Sequence, residues 1–385
     1  MTTRRSVLAA SALIAATRVH PRLAIAQDAT PGPDTSPAPE ASALLGAWTG
    51  TQTGWNMGTI PYSGAGTITF TTAHGHIVQG AKQYTDEDGV VHEEPVEVVI
   101  LSDGTILGAE HDSILFGALH EDGTLLLAKL ETGLDQDAAL ARLRKDGQPL
   151  PPSEVDAASL KGRWIGAYDG FHHGEVTSGL CQINIAETDG QLVQGTGNYK
   201  MGDADWSVAQ LYCGVLGGAG ELMLSTTGGY MIGHLADDDT MDLTYLVVGM
   251  ANVAVSMRLH RHETALLGTP MSEAEMPGID LIGLWSGPRM EHDLGDVVGG
   301  IEELTITSRE GAAFGGTKRW HDGDGQWFPT EALNVVVQPD GLIAMTDEDG
   351  VMLGRMLDDG SLELAYVSPG IPEPKANYNL LTRSM

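Results

Sequence analysis

At 385 residues the chain has room for roughly two to four domains, each able to bury a core without metal or disulfide support. Its 52 Asp and Glu against 21 Lys and Arg give a formal net charge of −31, which argues against nucleic acid and anionic lipid as partners. Gly, at 50 residues, is close to double its usual share and is spread along the chain, as expected of an all-β protein with many tight turns.

The N-terminus reads Met1-Thr2-Thr3-Arg4-Arg5, continues through an apolar run from Ser6 to Thr17, and reaches Ala24-Ile25-Ala26. A charged region, a short apolar region and an A-x-A site in that order predict a signal segment over 1–26, with export to the periplasm or beyond. The arginine pair resembles a twin-arginine export signal, which implies a passenger that folds before crossing, in some cases around a cofactor. No motif names a cofactor, and its identity stays open. Cleavage removes four arginines and no acid, leaving 17 bases against 52 acids, a net charge of −35. The apolar run is too short to span a bilayer and no later stretch reaches 18 apolar residues, so no membrane insertion is expected after cleavage. Residues 27–43, rich in Pro, Ala, Ser and Thr, predict a disordered tether.

Three copies of one module follow, over 44–148, 160–265 and 281–385. Leu44-x-Gly46-x-Trp48-x-Gly50 recurs from Leu160 to Gly166, with Trp164, and from Leu281 to Gly287, with Trp285. A second block places Gly80, Gly195 and Gly316 four residues before Tyr84, Tyr199 and Trp320. A third begins at Leu115, Met231 and Met352, and each copy closes on an apolar strand ending in Lys145, Arg261 or Arg383. The same blocks in the same order establish an internal repeat. Pro- and Gly-rich joins over 146–152 and 268–278 read as linkers.

Within each copy, period-two runs such as Thr67–Thr71 and Cys181–Ile185 alternate with Asp-Gly turns. Asp135 to Arg144 has a helix-like pattern, but its counterpart Asn252–Met257 is strand-like, and the repeat favours strand. The predicted fold is all-β: three tandem up-and-down antiparallel barrels of about eight strands each. The Gly-x-Trp opening resembles the first strand of the lipocalins and avidins. That resemblance implies a Trp packed across the closed end of each barrel beside a late basic residue, here Trp48 with Lys145, Trp164 with Arg261 and Trp285 with Arg383. The chain has too few Trp for an avidin ligand site, and it lacks the long first loop and terminal helix of lipocalins. The resemblance therefore extends to the barrel and not to a ligand.

Candidate chemistry is sparse. Hydrolase elbows, phosphate loops, CxxC pairs and HExxH helices are absent from the sequence. Cys181 and Cys213 both lie in the second module, and a disulfide requires both to point into its barrel. Trp55 in module one, His172 and His173 with Asp169 in module two, and His292 in module three follow the first strand and are candidate ligand contacts. No set of three or four converging ligands is evident, so no metal is assigned. Tyr84, Tyr199 and Trp320 share a strand face with the repeated glycines and are candidates to border a pocket, or to fill the core beside a close backbone contact. The reading is an exported, non-enzymatic protein holding a small molecule in one or more barrels. The alternatives are a structural or adhesive array with a protein partner, or an enzyme using the His and acid groups of modules two and three.

Overall fold

The computed structural model describes residues 39–384 apart from 86–89, 134–135, 146–155, 219, 238, 250–251, 262–277, 294–295, 324 and 371–373. The expected signal segment and residues 27–38 of the expected tether lie outside these, as do most of the two linkers. Residues 39–43, the end of the expected tether, form with Leu44 a short helix that buries Ala41 and Leu44 completely.

From Gly46 to Arg144, Gly162 to Arg261 and Gly283 to Arg383, three sets of eight strands each close into a barrel. Every strand is antiparallel to the next, and the eighth returns to the first, so no barrel has an open edge. Asp137–Arg144 is the eighth strand of barrel 1, as the repeat required.

The Leu-x-Gly-x-Trp-x-Gly motif builds the closed end. The Trp indole N–H of Trp48, Trp164 and Trp285 donates to the carbonyl of Leu44, Leu160 and Leu281 at 2.6, 2.9 and 2.8 Å. Between them, Gly46, Gly162 and Gly283 take φ of 116°, 128° and 133°, a turn into the strand that a side chain would strain. Lys145, Arg261 and Arg383 lie over the three indoles at 5.3, 4.3 and 4.9 Å, as the resemblance implied. Gly80, Gly195 and Gly316 answer a different need. Each faces a bulge in the second strand, and a Cβ there would meet a carbonyl oxygen at 2.2, 2.0 or 2.2 Å.

Each barrel has its own apolar core around its Trp. A fourth core lies between the barrels and draws on all three: Trp55, Ile114 and Leu140 from the first, Phe171, Val215 and Leu246 from the second, Val336, Leu353 and Val367 from the third. These side chains point out of their own barrels, so the wall strands that carry them are buried on both faces. The seventh, eighth and first strands of barrel 1 pack on the third to fifth of barrel 2, and barrel 2 repeats this on barrel 3. The seventh and eighth strands of barrel 3 then pack on the third to fifth of barrel 1. The tandem modules are thus a closed ring with approximate three-fold symmetry, not beads on a string.

Polar contacts fix the seams. Gln136 donates to the Ser225 carbonyl at 2.5 Å, and its counterpart Asn252 donates to the Ala332 carbonyl at 3.0 Å. At the closing seam Ser102 donates to Glu363 at 2.6 Å, His292 meets Glu97 at 2.5 Å, and Tyr378 stacks on His76 at 3.9 Å.

The ring also corrects the cysteine expectation. Cys181 faces the lumen of barrel 2 and Cys213 faces the shared core, on opposite sides of one wall, so both are free thiols. Burial pushes both up to about 12.

Because the fourth core belongs to all three barrels, calorimetry should show one cooperative transition, with Ile114→Ala lowering the whole of it by about 2–5 kcal/mol. Three resolved transitions, or a shift confined to one of them, would contradict the shared core.

Candidate functional site

The three lumens differ in what fills them beyond the closed end. In barrel 2, Tyr168, Tyr212 and Cys181 occupy the interior, with Tyr245 packed against them. Tyr212 takes the space opposite Gly197, where a Cβ would stand 1.9 Å from its ring. Burial raises all three tyrosine hydroxyls above their ordinary range, as expected of space fillers.

Barrel 1 puts charge where barrel 2 puts rings. Lys82, the register equivalent of Gly197, contacts Glu110 at 2.6 Å and Glu94 at 3.4 Å. Lys129 lies within 3.3 Å of Glu131, 3.6 Å of Asp137 and 3.9 Å of Asp112. Together these side chains leave a void of only about 20 Å³, lined by Gln52, Lys82, Glu110 and Lys129. Such a space holds about one water molecule.

Barrel 3 repeats the lysine and its acids but stays open. Lys318, equivalent to Lys82, is ion-paired with Asp347 and lies 3.7 Å from Glu331. Its ammonium sits over the Trp320 and Tyr366 rings at 4.8 and 4.3 Å. Burial alone would lower its pKa, but Asp347 and Glu302 outweigh that and hold it above the ordinary value. Arg289 is paired with Glu291, reaches Asp322 at 3.1 Å and lies 3.8 Å from Glu302. Lys375 lies 3.6 Å from Glu291. All of these but Asp347 and Glu331 line a cavity of about 290 Å³, with Val298, Phe328, Asp349, Ser368 and Asn377 completing its wall.

The mouth is aromatic. After its third strand, barrel 3 turns back so that the Phe328 N–H donates to the Trp320 carbonyl at 2.8 Å. The Phe328 ring then stacks on Trp320 at 5.1 Å between centroids, with its outer face exposed.

Among the described residues, four buried polar atoms on the inner face of this barrel make no hydrogen bond: Glu302 Oε1 and Arg289 Nε, on residues that line the cavity, and Glu331 Oε2 and Asn379 Oδ1, on residues that do not. Glu302 is 1% exposed and burial raises its pKa; burial pushes Glu331 up to about 7, with Asp347 adding to the effect and Lys318 opposing it. Orphaned buried polar groups are rare and costly, and of these four Glu331 Oε2 and Arg289 Nε still have a charged neighbour, Lys318 at 3.7 Å and Glu302 at 3.8 Å.

The residues expected from sequence are dispersed. Trp320 lines the cavity. Tyr84 stands half-exposed at the rim of barrel 1, donating to Glu94 at 3.1 Å and stacking on His92, and Tyr199 is exposed at the rim of barrel 2. Trp55 points out of barrel 1 into the shared core. His172 and His173 sit together on an exposed turn of barrel 2, whereas His292 is buried in the seam between barrels 3 and 1. Asp169 also faces outward, at the seam with barrel 3, where burial pushes it up to about 6. Among the described residues, no three His, Cys, Asp or Glu side chains gather as a metal site requires. The lysine and its acids were missed. Gly80-x-Lys82-x-Tyr84 and Gly316-x-Lys318-x-Trp320 carried the signal, because the repeat places each lysine on the lumen face between two residues already singled out.

No protein-family model matches the chain, and no curated protein matches it by sequence. Among solved structures, it is similar to a protein of unknown function from the DUF3598 family of Nostoc punctiforme, at 13% identity over 61% of this chain and 100% of that one, with a TM-score of 0.26. It is also similar to the isotype 1 transferrin binding protein B of serogroup B Neisseria meningitidis, at 10% identity over 88% of this chain and 76% of that one, with a TM-score of 0.22. Likeness at this level says nothing about function, which has to be read from the lumen.

The raised carboxyls set a pH dependence. Glu331 binds its proton more tightly in the folded chain than at its ordinary value of 4.5, so its contribution to stability is present below that value and lost as pH rises through about 7. Glu131 and Asp169, each near 6, act in the same direction over the lower part of that window. The melting temperature should therefore fall between about pH 4.5 and 7, and fall less in Glu331→Gln, when followed by circular dichroism. An unchanged slope in that variant would remove Glu331 from the account.

Proposed function

We propose that this chain is an exported protein that binds a small molecule in the lumen of its third barrel. The observation behind the reading is the contrast between lumens. Two barrels of the same design fill their interiors with tyrosines or ion pairs, and the third keeps a cavity of about 290 Å³ edged by stacked aromatics and by the buried carboxyl of Glu302. A mostly pre-formed pocket with a few convergent polar groups is the usual form of a ligand site. The shared core supports the same reading: the ring holds the barrel wall from outside, so the cavity need not be filled for the fold to stand. Export by the twin-arginine route rests on Arg4, Arg5 and Ala24-Ile25-Ala26. The strongly acidic mature chain suits a soluble passenger.

Val298 lines the cavity from the second strand, and Val298→Trp should plug it. In a thermal-shift screen of chemically varied small molecules, wild type should be stabilised by at least one compound and Val298→Trp by none. If nothing stabilises wild type, or the plugged variant binds as well, the site is elsewhere or absent. In the same host, Arg4→Lys with Arg5→Lys should hold the protein in the cytoplasm, and unimpaired export would set aside that route.

A further inference from the structure

We infer that the occupant of the third barrel is an organic cation, a small aromatic or aliphatic ammonium. This rests on the reading that the lumen binds a small molecule.

The unpaired atoms say first what the ligand must bring. Two of them belong to residues that line the cavity, and of these Arg289 Nε already stands 3.8 Å from Glu302 Oε2, which leaves the carboxyl oxygen Glu302 Oε1 for a ligand to meet. A ligand that meets this oxygen donates to it, and an ammonium offers up to three N–H groups and no acceptor.

Charge points the same way. Glu291, Glu302, Asp322 and Asp349 line the cavity against Arg289, Lys318 and Lys375, while Asp347 and Glu331 add two more acids beside Lys318. The carboxylates outnumber the bases, and Glu302 is buried from water, so an anion entering here would meet repulsion and a cation relief. The aromatic groups fit as well. Trp320 and Tyr366 already hold the Lys318 ammonium against their faces, and Phe328 extends that surface to the mouth.

Barrel 1 holds a cation of its own at the corresponding height. Cross-strand pairing places Lys129 where barrel 3 has Tyr366: Lys129 faces Ala139 and Tyr366 faces Asn377, at equivalent points on the last strand. The Lys129 ammonium reaches into the lumen among Asp112, Glu131 and Asp137, and barrel 1 has no room left. With a ring in place of that lysine, barrel 3 keeps the space; Asp349 stands where Asp112 does, while Ser368 and Lys375 replace Glu131 and Asp137.

Three probes of one shape and different charge test this: phenethylamine, 2-phenylethanol and phenylacetate, titrated calorimetrically into the mature full-length protein at pH 8. Phenethylamine should bind at least about tenfold more tightly than the alcohol, with no detectable binding of phenylacetate. Glu302→Gln, which keeps the shape and removes the charge, should weaken the amine by about tenfold and leave the alcohol unchanged. Phe328→Ala, at the exposed mouth, provides a second variant should Glu302→Gln not fold, and should weaken the amine severalfold. Equal or tighter binding of the alcohol or the acid overturns the inference, as does amine binding indifferent to both variants, or no binding of any of the three. If the wider screen instead finds a neutral or anionic compound that Val298→Trp excludes, the cation is wrong and the third-barrel site stands. If no compound is excluded by that variant, the site itself falls.

Discussion

The constraint on which this structure depends is that its barrel walls are apolar on both faces. A small barrel can satisfy its inner face alone, with a Trp, its neighbours and a basic cap over the closed end. Strands such as Ile114–Phe116 and Asn334–Val337 also carry apolar side chains outward, and water cannot be left to cover them. Each barrel therefore presents one apolar flank from its last strands and another from its middle strands. The only arrangement of three that covers every flank is the closed ring, whose last seam is held as firmly as the two joined by the chain.

That double burial explains what the sequence did and did not disclose. Strand number, barrel closure and the Trp–cation caps were legible because three copies vary around fixed Gly, Trp and Leu positions. The ring was not, since period-two runs mark one apolar face of a strand and say nothing of what covers the other. The continuous apolar runs in the fourth, sixth and seventh strands were the available sign, since strands covered on both faces lose their alternation. Trp55 shows the cost of missing it: a buried aromatic beside a turn was read as a ligand contact when it belongs to a wall. The disulfide between Cys181 and Cys213 failed for the same reason, as neither a spacing nor a strand count states which side of a wall a thiol faces.

The lumens follow a second logic, of volume exchanged across a barrel. Gly197 leaves room that Tyr212 fills; Lys82 and Lys318 occupy the same point in the other copies, where Val96 and Leu333 stand in the place of Tyr212. Whether a cavity remains depends on the sum of several such exchanges, and no single residue announces it. Lys318 and its acids are a repeated structural device, present in a filled barrel as well as an open one. What distinguishes barrel 3 is what surrounds them: Arg289 in place of Gln52, Tyr366 in place of Lys129, and a mouth built from Trp320 and Phe328.

The ring has the form that single modules would adopt as a homotrimer, with one heterologous contact used three times and closing on itself. In such a trimer every change in a lumen would be made three times over, and a wall weakened by an open cavity would be weakened everywhere. Joining the copies in one chain breaks that equivalence. Two barrels can remain solid and act as the buttress, and the third is released to carry unpaired charge and empty space that a ring of identical parts would have to bear in triplicate.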